Sequence, residues 1–330
     1  MLNYKIDIIE EDIKEYSMEI LSILLKDRTT KKNIIWATDN YSSRGFGFDD
    51  HITINAVTDM HSSVVKPRTE KTKEEQNIRI RDKAEVFTPS WVCNKQNNLI
   101  DHAWFGCENV FNTESVNEWN VIERPIKFPT CDGKTWQNYI LEPRLEIACG
   151  EAPYLVSRYD TVTGKSIELF KRIGLLDRKL RVLSENIDNE EEWVIWSYKA
   201  FKSVYGYDWQ GDNILLAREN LLCTFIDYYI QKFKKEPGEE LLLNISFIIS
   251  WNIWQMDGLK FVIPSSCKGR RNDCLQLTLF DETIDSTPCE GCLKNDLLIH
   301  TGIYCTIMDW SEDKKIKFIS LLKKNKRGKI

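Results

Sequence analysis

The stretch Arg144-Leu145-Glu146-Ile147-Ala148-Cys149-Gly150-Glu151-Ala152-Pro153-Tyr154-Leu155 decides how this chain is read. Its pattern predicts a short strand ending on an acid, then a turn of small residues, then the start of a helix. An acid and a bare backbone at the carboxyl end of a strand sit where open α/β sheets bind their ligands. One glycine after one apolar strand says little by itself. Two more acid-terminated segments follow, Ser203-Val204-Tyr205-Gly206-Tyr207-Asp208 and Asn252-Ile253-Trp254-Gln255-Met256-Asp257-Gly258. Glu146, Asp208 and Asp257 are therefore expected on one sheet edge as a series, although each alone reads better as a helix cap or a solvated loop acid.

Between these segments the apolar spacing is helical. Residues 213–233 carry a stripe at Ile214, Leu215, Leu221, Leu222, Phe225 and Ile226, with Asp212 placed to cap the helix. A second helix is expected from about Glu239 to Ser250. Strands alternating with helices predict an α/β fold with a parallel sheet. The 330 residues, 42% hydrophobic and 29% charged, can bury one such core and a smaller appended unit.

Upstream, residues 7–26 predict an amphipathic helix. Asn33-Ile34-Ile35-Trp36-Ala37-Thr38 predicts a buried strand that delivers Asp39, Asn40 and Tyr41 to a loop. Residues 64–83 are rich in base (Lys66, Arg68, Lys71, Lys73, Arg79, Arg81 and Lys83) with acids interleaved. They read as a solvated helix face with paired charges, or as an edge that touches phosphate. Pro89 sets a kink before a helix running through Ile100. Residues 101–140 are aromatic-rich and carry no clear period.

A net charge of −5 excludes a molecule that binds nucleic acid by bulk electrostatics, so such contact must be local. No apolar run approaches the ~18 residues of a membrane span, and no leader pattern opens the sequence. The expectation is a cytoplasmic protein without membrane contact. Ten unevenly spaced cysteines in a chain of this length argue against a disulfide framework and for reduced thiols or a metal.

A nucleoside-type ligand needs acceptors for ribose hydroxyls and for an adenine amine, and close backbone approach at a glycine turn. Asp208 lies about sixty residues beyond the turn, not the roughly twenty of a dinucleotide fingerprint, so an insertion between strands is implied. The series Glu85-Val86-Phe87-Thr88-Pro89, Glu146-Ile147-Ala148-Cys149-Gly150, Tyr205-Gly206-Tyr207-Asp208 with Leu216-Ala217-Arg218-Glu219-Asn220-Leu221, and Gln255-Met256-Asp257-Gly258-Leu259 resembles the S-adenosylmethionine-dependent adenine-N6 DNA methyltransferases. The likeness is greatest to modification subunits of restriction systems and covers roughly residues 80–260; its specific part is the order of the motifs. The resemblance implies a Rossmann-like methyltransferase core at residues 84–262. A mainly helical region would precede it (1–83), and a small zinc-knuckle insertion with terminal strands would follow (263–330).

The same resemblance implies S-adenosylmethionine held by Phe87, Thr88, Pro89, Glu146, Ala148, Cys149, Gly150, Asp208, Trp209 and Asp257. Phe87 and Thr88 would lie near the methionine end, Asp208 at the ribose and Asp257 at the adenine amine. Two departures stand out. Ala152 and Pro153 replace the second glycine of the turn. None of the nine prolines is adjacent to another, so the Asp/Asn-Pro-Pro-aromatic segment that holds the target amine is missing. Asp39-Asn40-Tyr41, after the early strand, is the one stand-in, and the catalytic residues are otherwise unknown.

Cys267-x6-Cys274-x14-Cys289-x2-Cys292 predicts a four-thiolate structural zinc, with His300 and Cys305 as possible replacements for one ligand. Gly291 is expected to let the Cys289–Cys292 knuckle turn. Incidental buried thiols are the bland alternative, and Lys268, Arg270 and Arg271 would let the knuckle touch a phosphate backbone. Cys149 reads as a packed turn residue, and the tail Lys323-Lys324-Asn325-Lys326-Arg327-Gly328-Lys329 as a solvated end. The reading is a DNA adenine methyltransferase or methyltransferase subunit of a restriction-modification or phage-defence system. DNA is the expected partner, together with a second protein subunit. The alternatives are a non-catalytic methyltransferase-like subunit binding DNA or protein, and a zinc-stabilised nucleic-acid module.

Overall fold

The computed structural model describes residues 10–83, 85–130, 133–267, 270–271 and 286–322. Cys274, Lys268 and the basic tail lie outside them. The first apolar stretch forms two helices, α1 (Glu10–Tyr16) and α2 (Met18–Leu25), where one was expected. Ser17 breaks it: its backbone is extended, and its hydroxyl accepts the Ile20 N–H to start the second helix. The basic run contains α3 (Lys73–Lys83), and Pro89 caps α4 (Ser90–Phe105). The aromatic region holds an antiparallel hairpin, β1 (Asn112–Ser115) with β2 (Glu118–Val121), and then α5 (Trp136–Leu141) behind a Thr135/Asn138 capping box.

The parallel sheet follows. β3 (Arg144–Ile147) leads through α6 (Leu175–Asn186) and α7 (Glu190–Lys202) to β4 (Val204–Asp208). From there α8 (Gly211–Phe233) and α9 (Glu239–Asn252) lead to β5 (Ile253–Gln255). The order is β3-β4-β5, all parallel, with Leu145 opposite Tyr205, Ile147 opposite Tyr207 and Tyr207 opposite Trp254. The short β6 (Arg270–Arg271) and β7 (Ser286–Thr287) pair antiparallel. After α10 (Glu290–Lys294), β8 (Thr306–Asp309) and β9 (Lys314–Lys317) close a last hairpin. The chain is thus mixed α/β around a three-stranded parallel sheet.

Alternation along the strands divides the core. Val204 and Ile253 face a large apolar cluster that includes α2, α6, α8 and α9 and reaches forward to Ile13 and Trp36. Tyr207 and Trp254 face a smaller one with Ile307 and Phe318 from the terminal hairpin. Residues 33–38 are not a strand of this sheet. They cross beside β5, held by the Gln255 side chain, whose Oε1 accepts the Ile35 N–H (2.9 Å) and whose Nε2 donates to the Ile35 carbonyl (2.8 Å). That amide satisfies Ile35 on the β5 side, while Ile34, Trp36 and Ala37 bond the backbone of Ile52, Asp50 and Phe48 on the other.

Helix α8 is the spine. Arg218, fully buried, donates to the carbonyls of Leu24, Lys26, Ser250 and Ile253, tying α2, α9 and β5 together. Asn220 donates to Glu151 O (3.0 Å), fixing the turn after β3. Arg218→Ala strands those buried carbonyls, so a loss of about 3 kcal/mol or more in urea unfolding is expected. A loss within about 1 kcal/mol would show that the clamp is dispensable.

Candidate functional site

The carboxyl ends of β3 and β4 open into a cleft of roughly 660 Å³, the size of a small-molecule site. At its floor the chain turns sharply. Ala148, Gly150 and Ala152 all have positive φ (52°, 52° and 63°), so the turn is left-handed at alternate residues. Gly150 adopts this freely, whereas the two alanines hold it under strain. Ala152 thus takes a backbone shape that glycine usually supplies.

Asp208 binds this turn directly. Its Oδ2 accepts the Gly150 N–H (2.9 Å) and its Oδ1 accepts the Gln210 N–H (3.0 Å). Glu146 accepts the N–H groups of Tyr154 and Leu155, both at 3.2 Å. Burial raises the pKa of both carboxyls. Glu146 is pushed up to about 8, against the pull of its two N–H donors and with a further push from Asp208. Phe87 covers the turn, its ring 3.7 Å from where a Gly150 side chain would begin, and the Arg68 guanidinium lies over the same ring, 5.1 Å from its centroid.

Thr88, Ala148, Cys149 and Trp209 also line the cleft. Pro89 does not, since it is spent on capping α4. Asp257 is not brought to the cleft lining either. It lies two residues past β5, where its Oδ1 accepts the Leu259 and Lys260 N–H groups and so caps its own turn. Two of the three acids expected to share an edge therefore do so.

Asp39, Asn40 and Tyr41 line a different cavity, of roughly 380 Å³. The Tyr41 hydroxyl donates to Asp212 (2.7 Å). Asp212 does not cap α8, because Gln210 holds that position. It lies buried in the first turn, where Arg79 Nη1 (2.7 Å) and Lys71 Nζ (3.3 Å) reach it. Burial alone would raise its pKa, but these two cations hold it well below the usual carboxylate range. Arg79 and Lys71 are thus neither a solvated face nor a phosphate edge.

The same Arg79 grips Glu85 (Nε 2.5 Å), and Glu85 accepts from Asn213 (2.9 Å) on the cleft wall. Glu85, Gln210 and Asn213 are cleft residues outside the expected set. The sequence signal for Asn213 was its place in the first turn after the Asp208 strand. Arg79 had none, being hidden among like residues. A larger cavity, roughly 930 Å³, lies between α6 and α8, where Arg172 pairs with Asp227 (2.6 Å) and Arg181 with Glu185 (2.8 Å).

The second site is a sulfur and nitrogen cluster. The Sγ atoms of Cys267, Cys289 and Cys292 and the Nδ1 of His300 lie within 4.8 Å of one another. Cys267 and Cys292 are 3.7 Å apart, and His300 Nδ1 is 3.5, 3.6 and 3.7 Å from Cys267, Cys289 and Cys292. A tetrahedron with Zn–S of about 2.3 Å and Zn–N of about 2.0 Å has edges of about 3.5–3.8 Å. The cluster therefore fits one metal ion such as zinc, with His300 among the described residues in the place assigned to Cys274. Gly291 is required for a different reason than expected: a Cβ there would meet His300 Nδ1 at 2.8 Å.

No helix among the described residues is long and apolar enough to cross a membrane. Glu146 gives the cleft a pH signature. Its pKa rises from the usual 4.5 to about 8 on folding, so its stabilising contribution is complete below 4.5 and is lost as pH rises through 8. Wild-type stability should carry a downward component of up to about 1.4 kcal/mol per pH unit in that window, and Glu146→Gln should lack it. Parallel pH profiles for the two proteins would overturn this assignment. No family model, curated protein or solved structure matches this chain.

Proposed function

We propose that this chain binds S-adenosylmethionine in the β3–β4 cleft, as the cofactor-binding subunit of a DNA adenine-N6 methyltransferase of a restriction-modification or phage-defence system. In that reading the fold is a Rossmann-like methyltransferase core. One observation carries it: Glu146 and Asp208, near the carboxyl ends of adjacent parallel strands, hold the backbone at and just after one left-handed turn, with Phe87 against that turn. Carboxylates with lone pairs left over are acceptors for ribose hydroxyls and for an ammonium group. Asp208 and the carboxyl of Glu146 offer polar contacts on the wall, Glu85 being paired with Arg79, and Phe87 and Trp209 offer faces for a cation or a purine.

When bound, S-adenosylmethionine supplies an electrophilic methyl group. The residues of this chain would orient it and exclude water, so the gain is positional. A transferable methyl also requires groups that hold the target amine opposite it. Asp39, Asn40 and Tyr41 do not line this cleft, and the Tyr41 hydroxyl is committed to Asp212. This favours a subunit that works with a second protein, and it equally supports the second reading, a non-catalytic subunit that keeps the cleft. At the other site all four positions around the ion would be filled by protein donors, which suits a structural zinc rather than a catalytic one.

Titration calorimetry with S-adenosylmethionine tests the cleft. Asp208→Ala is expected to weaken binding at least tenfold, about 1.4 kcal/mol; unchanged affinity in a folded variant would sink the reading. Transfer of tritiated methyl to DNA, with and without a partner subunit, then separates enzyme from binder. For the metal, about one zinc per purified chain is expected, with Cys292→Ser lowering both zinc content and melting temperature. A metal-free protein of equal stability would remove the site.

A further inference from the structure

Two aromatic side chains of the cleft hang on one peptide of the N-terminal region. Ala37 closes the segment that crosses beside β5; it is fully buried and its backbone is left-handed (φ 51°). Its N–H donates to the Phe48 carbonyl (2.8 Å), and its own carbonyl accepts the indole Nε1–H of Trp209 (3.0 Å). Both rings line the cleft. The Trp36 N–H donates to Asp50 O (3.0 Å), so the loop that carries Phe48 is tied to the same segment on both sides of that residue. The Gln255 amide that bonds Ile35 also donates Nε2–H to the Trp209 carbonyl (2.8 Å).

Trp209 is therefore held at its backbone and at its ring, yet 37% of it is exposed. An indole whose one polar atom is already bonded inside the protein offers a ligand chiefly its face. Because its orientation is fixed beforehand, little side-chain freedom is lost when a partner lands on it. Phe48, half-buried, adds a second apolar face. Trp209 also follows Asp208 directly, so a plate for a flat ring stands next to an acceptor for hydroxyls.

The polar groups of the cleft are largely answered by the protein itself. Glu85 is paired with Arg79, Glu146 accepts two N–H groups, and Asp208 accepts those of Gly150 and Gln210. A bare cation finds few unshared lone pairs there. The aromatic faces remain to supply affinity, and a flat ring takes the most from them. We propose that Phe48 and Trp209 form a base-binding wall, so that the cleft takes a purine nucleoside whose base lies on these rings and whose sugar reaches Asp208. A cleft of roughly 660 Å³ holds a ligand of that size. Phe48 then sets specificity from outside the motif series of residues 80–260. Only the step from nucleoside to methyl donor rests on the function proposed above.

The test divides the ligand among three probes: adenosine, the base-free sulfonium S-methylmethionine, and S-adenosylmethionine. In titration calorimetry on the full chain, adenosine should bind wild type and lose at least tenfold in Phe48→Leu, which keeps apolar bulk and removes the ring. Phe48→Tyr should stay within about threefold of wild type. Adenosine should also quench part of the tryptophan fluorescence, and Trp209→Phe should lose that quenching while still binding. Melting curves check the fold of each variant, and the Trp209→Phe signal decides the matter should Phe48→Leu not fold. Absence of adenosine binding, equal adenosine affinity in Phe48→Leu, or quenching that persists in Trp209→Phe would overturn the proposal. So would a Phe48 dependence shown by S-methylmethionine and not by adenosine. Adenosine binding without S-adenosylmethionine binding would remove the methyl-donor reading and leave the wall. S-adenosylmethionine binding indifferent to Phe48 would remove the wall and leave the methyl-donor reading.

Discussion

A buried carboxylate, Asp212 in the first turn of α8, is the constraint on which the cleft depends. It is fully enclosed and receives Arg79, Lys71 and the Tyr41 hydroxyl. Burying these charges is costly, and the cost is offset only while every partner is present. Removing one partner from such a cluster typically costs about 3–5 kcal/mol. The position at the N-terminus of a helix adds a favourable dipole contribution. Because Arg79 also holds Glu85, the segment that carries Phe87 is fixed relative to α8, and through α8 to the end of β4.

From that anchor the rest of the cleft follows. Asp208 and Gly150 join two strand ends across one hydrogen bond, and Asn220 of the same helix holds the turn at Glu151. Glu151 in turn accepts the Arg68 N–H and the Tyr159 hydroxyl, drawing the upstream loop against the turn. Each acid in the region therefore has a structural duty. A ligand that enters must share these carboxylates with the backbone. The raised pKa of Glu146 records its burial, which outweighs the pull of its two N–H donors.

The secondary structure of the core was largely legible. The strands at Arg144–Ile147 and Val204–Asp208 and the helices Gly211–Phe233 and Glu239–Asn252 follow from alternation, helical spacing and turn residues. The cysteine knuckle was legible too, because close thiol pairs are rare by chance. What failed did so for identifiable reasons. Asp257 reads as a strand-end acid, but β5 stops two residues earlier and the carboxylate bonds its own turn. Residues 33–38 have strand composition, yet only the Gln255 side chain joins them to β5, and their backbone partners include Phe48, Asp50 and Ile52 rather than the sheet. Arg79 and Arg81 look alike in a charged run, and only packing against Asp212 sets Arg79 apart.

Sequence alone determined the α/β class, short strands with acids at or near their ends, and a cysteine cluster spaced for a metal, because these depend on local period and spacing. The tertiary structure decided which acids share a cleft, that His300 joins the sulfur cluster, and that β3 ends the parallel sheet among the described residues. Those facts rest on which distant segments meet. A sequence states the period of each segment, but the meeting point is set by burial, register and charge pairing summed over the whole chain.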